Sequence, residues 1–214
     1  MPKQTFFNLP KQKRDLITRL ALEEFASHDY HSASLSKIVE RAGIAKGSMY
    51  QYFGGKKDLY LYLFNLVGQA KLSYITSKVP DPESLDLFSY LKELMMASAG
   101  FEIHHPLEYR MGMRVVYGDS PFKEEERQQM KNAVVDFYKG LLIRGIERGE
   151  LDPDLDVDAA AFLLSAVSLE LGSFIMNRLD LDSEDLQSSK IDWEALEPIL
   201  DTVIALIKNG IARR

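Results

Sequence analysis

Residues 34–53 read SLSKIVERAGIAKGSMYQYF, two short helices pivoting on Ala42-Gly43-Ile44. In the first, Leu35, Ile38, Val39 and Ala42 fall at i, i+3, i+4 and i+7, so one stripe is apolar while Lys37, Glu40 and Arg41 stay in water. Ser34 stands where its hydroxyl can accept from a first-turn amide, and Lys37 occupies the position where Glu or Gln would complete a capping box. Gly43 supplies the left-handed backbone that ends the helix, and Ile44 folds back as an apolar plug. The second helix, about Lys46 to Tyr52, turns Met49 and Phe53 inward. It keeps Lys46, Gly47, Ser48, Tyr50, Gln51 and Tyr52 outward or on its flanks. That outer set can donate hydrogen bonds and holds no carboxylate. It suits an anionic groove, and Gly47 permits close backbone approach. Gly55-Lys56-Lys57 then forms a basic step into a third helix.

From Arg14 to Leu59 the chain resembles the DNA-binding domain of the tetracycline-repressor (TetR) family of bacterial transcriptional regulators. The positions that carry the resemblance are Ile17, Ala21, Phe25, Tyr30, Ser34, Ile38, Ala42-Gly43-Ile44, Lys46-Gly47-Ser48, Tyr50, Tyr52-Phe53, Lys56 and Leu59, spread over about a fifth of the chain. Three positions depart from the family pattern: Asp29 where Gly is usual, Ala45 where a capping Ser or Thr is usual, and Gly55 where Ser or Asn is common. Asp tolerates the left-handed conformation better than most residues, whereas the missing cap at Ala45 costs about 1 kcal/mol. The resemblance implies an all-α fold of about nine helices. Residues 1–55 would form a three-helix head that binds DNA, and residues 56–214 a helical body that binds an effector and dimerises. It also implies a homodimer on a double-stranded palindromic operator.

Charge is distributed unevenly along the chain. The whole is acidic, with 26 basic against 32 acidic residues, which alone argues against a nucleic-acid binder. Residues 1–60, however, hold ten basic against six acidic residues, net +4, and the remainder 16 against 26, net −10. Lys46, Gly47, Ser48, Tyr50 and Gln51 are assigned to the groove, Gln51 as the base reader because its amide can pair with adenine. Ser34, Ser36, Tyr52, Lys56 and Lys57 are assigned to phosphates that fix register.

With 46% hydrophobic residues, 214 residues suffice for a proper core. The absence of Cys excludes disulfides and thiolate metal sites and suits a reducing cytoplasm. MPKQTFFNLPKQKR contains no apolar run of signal-peptide length and reads as a basic lead-in, with Phe6, Phe7 and Leu9 docking on the head. Beyond the head the periodicity predicts helices at Lys56–Lys78, at Leu85–Ala99 ending on Gly100, and from His105-Pro106 to Tyr117-Gly118. Further helices are predicted at Phe122–Arg148, with Gly140 and Gly145 inside, at Val157–Leu179 and at Trp193–Ile211. Pro198 predicts an isolated turn before a proper start at Glu197, and Asp180–Ser189 reads as an exposed, mobile acidic loop. Ala159–Met176 is interrupted by Ser165, Ser168, Glu170 and Ser173, so it reads as a buried helix rather than a membrane span, and no membrane partner is expected.

Apolar residues surround the axis of that helix, so both of its faces must be covered. Phe162, Ala166, Leu169 and Ser173, with Ile199, Val203 and Ile207 of the last helix, are assigned to a two-fold four-helix interface with a second copy. For a small apolar or amphipathic effector the candidates are Phe88, Leu91, Met95, Phe101, Met111, Tyr117, Phe137 and Phe174, within a soft run that also holds Met96, with Glu108, Arg114 or Glu170 anchoring a polar end. Glu102, His104, His105 and Glu108 cluster, yet no H-E-x-x-H or comparable ligand set exists. Neither metal nor cofactor is expected. G-x-S-x-G, G-x-G-x-x-G and phosphate-loop patterns are missing, which leaves no enzymatic motif. The alternative reading is a helical homodimeric scaffold that binds a ligand or a protein without DNA.

Overall fold

The structure, a computed structural model, describes residues 1–180 and 193–211, so almost all of the expected acidic loop lies outside the described residues. Every regular element among them is helical: α1 (Gln4–Phe7), α2 (Lys11–Ser27), α3 (Leu35–Arg41), α4 (Lys46–Tyr52), α5 (Lys56–Lys78), α6 (Leu87–His104), α7 (Pro106–Tyr117), α8 (Glu124–Glu147), α9 (Val157–Arg178) and α10 (Trp193–Ile211), with one 3₁₀ turn at Pro82–Ser84. The helix added to the expected nine is α1, a single turn that buries Phe6 while Phe7 stays exposed.

Two compact units result, Met1–Lys71 with Leu107–Glu124, and Leu72–Pro106 with Glu125–Arg214. The expected division after residue 55 is therefore displaced. Leu59, Tyr60 and Leu63 of α5 are fully buried with Ile17, Ala21 and Phe25 of α2 in the head core, the Leu, Ile and Phe side chains each contributing about 1.5–3 kcal/mol. Phe25 meets Tyr60 edge to face at 5.1 Å, and Phe122 meets Phe64 at 4.9 Å. Leu66, further along α5, is exposed. Residues 107–124 join this unit through Arg114, whose guanidinium donates to the Ala26 carbonyl at 3.0 Å and to the Asp29 carboxylate at 2.5 Å. Asp29 does not take the left-handed conformation. Its carbonyl accepts from the Ala33 amide at 2.9 Å instead, and its side chain engages Arg114.

In the second unit α6 runs through Gly100, the expected stop, to His104. A helix-interior Gly costs only about 1 kcal/mol, less than the buried residues on both sides of it supply. Pro106 is the effective stop, holding His105 out of helical geometry at φ −129°, ψ 58°. Asp86 starts α6 by accepting from the Phe88 and Ser89 amides at 3.0 and 3.1 Å. Its carboxyl is held below the usual range by the Ser89 hydroxyl and these amides. Within α8, Gly145 lets Leu87 and Leu151 close in, since a Cβ there would lie 2.8 Å from Leu87 Cδ2. α10 is continuous from Trp193 across Pro198, contrary to the expected restart at Glu197. Full burial of Leu196 and Leu200 offsets the hydrogen bond that Pro198 cannot donate.

The core of this unit gathers Phe88, Leu91 and Met95 of α6, Leu141 and Leu142 of α8, Ala161, Leu164 and Leu171 of α9, and Leu196, Leu200 and Ile207 of α10. Lys92 ties α6 to α10 through Glu197 at 2.9 Å and Asp201 at 2.6 Å. By length and composition α9 could cross a membrane, but Ala160, Ala161, Leu164, Leu171 and Ile175 lie in the helical core. Its other side leaves Phe162, Leu163 and Phe174 exposed, as α10 leaves Leu206.

Candidate nucleic-acid interface and body cleft

The turn between α3 and α4 is built as its residues dictate. The Ser34 hydroxyl accepts from the Lys37 amide at 3.4 Å, and the Ser34 amide donates to the buried Glu24 carboxylate at 2.8 Å. Gly43 sits at φ +61°, its amide bonded to the Glu40 carbonyl at 3.1 Å, while the Ile44 amide reaches the Val39 carbonyl at 3.2 Å. This is the paired bonding of a Schellman motif, which requires the left-handed residue that Gly supplies. α4 follows with Ala45 at its N-cap and no side-chain cap.

Met49 and Phe53 turn α4 inward, both buried, and Lys46, Gly47, Tyr50 and Gln51 stand exposed with Ser48 and Tyr52 half-buried at the flanks. Ser36 and Lys57 are exposed and Ser34 is half-buried. Lys56, expected at phosphate, lies elsewhere: its ammonium donates to the His31 carbonyl at 2.9 Å and sits 5.0 Å over the Tyr30 ring. Burial there pulls its pKa below the usual lysine value, partly countered by Asp119 and Glu24. Asp119 accepts from both the amide and the ring Nδ1 of His31, and the His31 amide holds its carboxyl below the usual range. The Tyr60 hydroxyl beneath this network is buried, and desolvation pushes its pKa to about 12. Sequence periodicity does not encode this network, because it joins Tyr30 and His31 to Asp119, which lies 88 positions beyond His31 along the chain.

The expected effector residues are divided between the two units. Phe88, Leu91 and Met95 are core, and Phe101 is buried with its ring stacked 4.7 Å from His105. Met111 is buried and Arg114 is engaged by Ala26 and Asp29 in the first unit, where Glu108 is half-buried and Tyr117 exposed. Phe137, Glu170 and Phe174 are exposed on the second unit. Among the interface candidates Phe162 is 67% exposed, while Ala166, Leu169, Ser173, Ile199 and Val203 are half-buried. Ile207 belongs to the core, and its neighbour Leu206 is the residue that faces out, 70% exposed.

A cleft of about 580 Å³ opens in the second unit between the end of α5 and α6, lined by Tyr74, Lys78, Glu93, Met96, Ala97, His104 and His105. Tyr74 and Lys78 are i, i+4 neighbours on α5, and the Tyr74 ring meets His105 at 5.8 Å. The His104 Nδ1 lies 2.7 Å from the Gly100 carbonyl, which makes it the protonated nitrogen and aims Nε2 away from the helix. Apolar Met96 and Ala97 stand beside Lys78, two imidazoles and the Glu93 carboxylate, so the lining offers a greasy part and a polar part of mixed charge. Of these residues only Met96 and the two histidines drew notice in the sequence, the histidines as candidate metal ligands. Among the described residues no three such side chains converge on an ion site.

Residues 17–63 match the family model described as bacterial regulatory proteins, tetR family, and residues 85–212 that of the tetracyclin repressor-like C-terminal domain. A solved TetR family transcriptional regulator from Chloroflexus aurantiacus is 39% identical with full coverage of both chains and a TM-score of 0.89. The fatty acid metabolism regulator protein of Bacillus subtilis is 24% identical over 189 residues, 85% of this chain and 95% of that protein. The transcriptional regulator FadR of Bacillus subtilis, solved in complex with stearoyl-CoA, shares the fold at a TM-score of 0.64 and 22% identity, covering 92% of this chain and 98% of that one. With both its head and its body matched, the chain belongs to the TetR family of bacterial transcriptional regulators, and α3 and α4 are its helix-turn-helix.

Proposed function

We propose that the protein binds a palindromic DNA operator as a homodimer and represses transcription until an amphipathic effector with an anionic head group, of the acyl-thioester or fatty-acid class, releases it. The observation that carries the DNA reading is the outer face of α4, exposed and free of carboxylates, on a helix whose opposite face is fully buried. Lys46, Ser48, Tyr50 and Gln51 enter the major groove, Gly47 lets the backbone approach, and Ser34, Ser36, Tyr52 and Lys57 position phosphates. Lys56 reaches a phosphate only by giving up the His31 carbonyl, so Lys57 carries the larger share. Dimerisation is supported by the exposed apolar side chains Phe162, Leu163 and Phe174 of α9 and Leu206 of α10. Two heads then read half-sites about 34 Å apart.

The effector reading rests on the cleft chemistry and on the stearoyl-CoA complex of the Bacillus subtilis FadR. Lys78 would face the anionic part, with the apolar chain passing between helices. The effector shifts the population of dimers by no more than its differential affinity for the two states. α5 is the covalent route, since its residues 56–71 fall in one unit and 72–78 in the other. Such a regulator works in the cytoplasm, where operator and acyl metabolites meet. Fluorescence anisotropy with DNA from the protein's own upstream region tests both parts. Specific binding that steepens at low salt, and release by a long-chain acyl-CoA but not by free CoA, is the expected result. Equal affinity for a scrambled duplex sinks the DNA reading, and indifference to every acyl ligand sinks the effector reading.

A further inference from the structure

A helix of seven residues leaves its last four carbonyls without intrahelical partners, and in α4 the partners come from an unexpected place. The Met49 carbonyl accepts from the Phe53 amide at 2.9 Å. The remaining three are met by the first residues of the chain. The Lys3 amide donates to the Tyr52 carbonyl at 2.8 Å, the Lys3 ammonium to the Tyr50 carbonyl at 2.8 Å, and the Thr5 hydroxyl to the Gln51 carbonyl. Phe6, 1% exposed, locks this arrangement, its ring 4.8 Å from Phe53 and 5.5 Å from Tyr62. Arg14 closes the other end, donating to the Phe7 carbonyl at 2.6 Å. The N-terminal ammonium pairs with Asp58 at 3.5 Å, beside the loop that leaves α4.

We infer that residues 3–6 are a positioning segment for the recognition helix, a C-terminal cap supplied from outside the helix. α4 needs one: it has no side-chain cap at Ala45, and seven residues form no stable helix alone. The Lys3 charge also complements the negative end of the helix dipole. Because Tyr50, Gln51 and Tyr52 lend both a carbonyl to the brace and a side chain to the proposed DNA face, loosening the brace lets base-reading side chains tilt. Non-specific attraction, set by total charge, changes much less. This inference rests on the DNA reading above for its functional consequence, but not for its structural one.

The test combines Lys3→Pro with Thr5→Val. Proline fits the Lys3 backbone, at φ −81°, while removing both of its donors, and valine replaces the hydroxyl at equal size. Amide hydrogen exchange across α4 is read without DNA, and discrimination between operator and scrambled duplex is read with it. We expect exchange in α4 to rise at least about tenfold, as three lost hydrogen bonds imply, with α2 unchanged. Operator preference falls about tenfold, and Lys3→Arg with Thr5→Ser retains both properties. Unchanged α4 exchange, or raised exchange with undiminished operator preference, overturns the inference. If neither protein prefers any operator while α4 exchange rises in the variant, the regulator reading fails and the brace stands.

Discussion

α4 and α9 are both helices with one side open to solvent, yet they are open in opposite ways. α4 is short, capped from elsewhere in the chain, and shows water a polar surface without a carboxylate. α9 is long, contributes five residues to a core, and shows water Phe162, Leu163 and Phe174. The first surface is matched to a polyanion, which neutralises charge and supplies acceptors. The second is apolar, and the proposed dimer would cover it with its own copy, removing that area from water. Under the proposed function the two surfaces have separate tasks: one face would read a half-site and the other would fix how many half-sites are read together.

The sharpest way to break the comparison is to truncate the same residue type on each side of it. Phe53→Ala, under the inner face of α4, should cost about 3–5 kcal/mol of head stability, measured by urea denaturation followed by circular dichroism. Phe162→Ala should cost the protomer less than about 0.5 kcal/mol and appear instead in sedimentation velocity as weakened self-association. Equal losses of stability would mean that α9 faces protein within one chain. Next in size is Gln51→Ala, expected to reduce discrimination against a mutated operator by about 1–3 kcal/mol in competition binding, while leaving dimerisation unchanged.

Gly43→Ala places a Cβ on a residue at φ +61° and should destabilise the head by about 1–2 kcal/mol. The helix-interior Gly140, where a Cβ would meet nothing within 4 Å, should gain about 0.5–1 kcal/mol as Ala. Thermal melts of the two variants should move in opposite directions. Lys57→Ala should lower the slope of log affinity against log salt by about one unit, with sequence preference intact. The smallest effect concerns Asp119, whose folded carboxyl titrates below its ordinary 3.8. Its contribution is present above that pH and lost as pH falls through the lower folded value. Asp119→Asn should therefore melt earlier than the parent at pH 7, with the gap closing below about pH 3.8.

Legibility in the sequence follows the same division. The α3–α4 turn could be read because its determinants are local: an i, i+3, i+4 stripe, Ser34 before it and Gly43 after it. The stop at Gly100 was misread because a weak local breaker loses to burial on both flanks, and Pro106 decides instead. The assignment of Lys56 to phosphate rests on its place in a basic cluster, whereas its rotamer follows Tyr30 and the His31 carbonyl, which local sequence does not encode. On α10 the apolar stripe is visible, but one residue of helix turns a side chain by 100°, and that separates buried Ile207 from exposed Leu206. The cleft is not legible in the sequence, because a cavity is defined by absent atoms among helices brought together only in the fold. The brace on α4 is hidden for a similar reason: its three donors lie 46 to 49 residues away from their acceptors.

The central claim is that the outer side of α4 meets base pairs twice per assembly. It is tested most directly by hydroxyl-radical footprinting of the purified protein on its own upstream DNA. The account predicts two protected patches related by a dyad, one helical turn or a multiple of it apart, both lost in Phe162→Glu as the dimer dissociates. Uniform cleavage along the duplex, or a single patch that survives in Phe162→Glu, would contradict it.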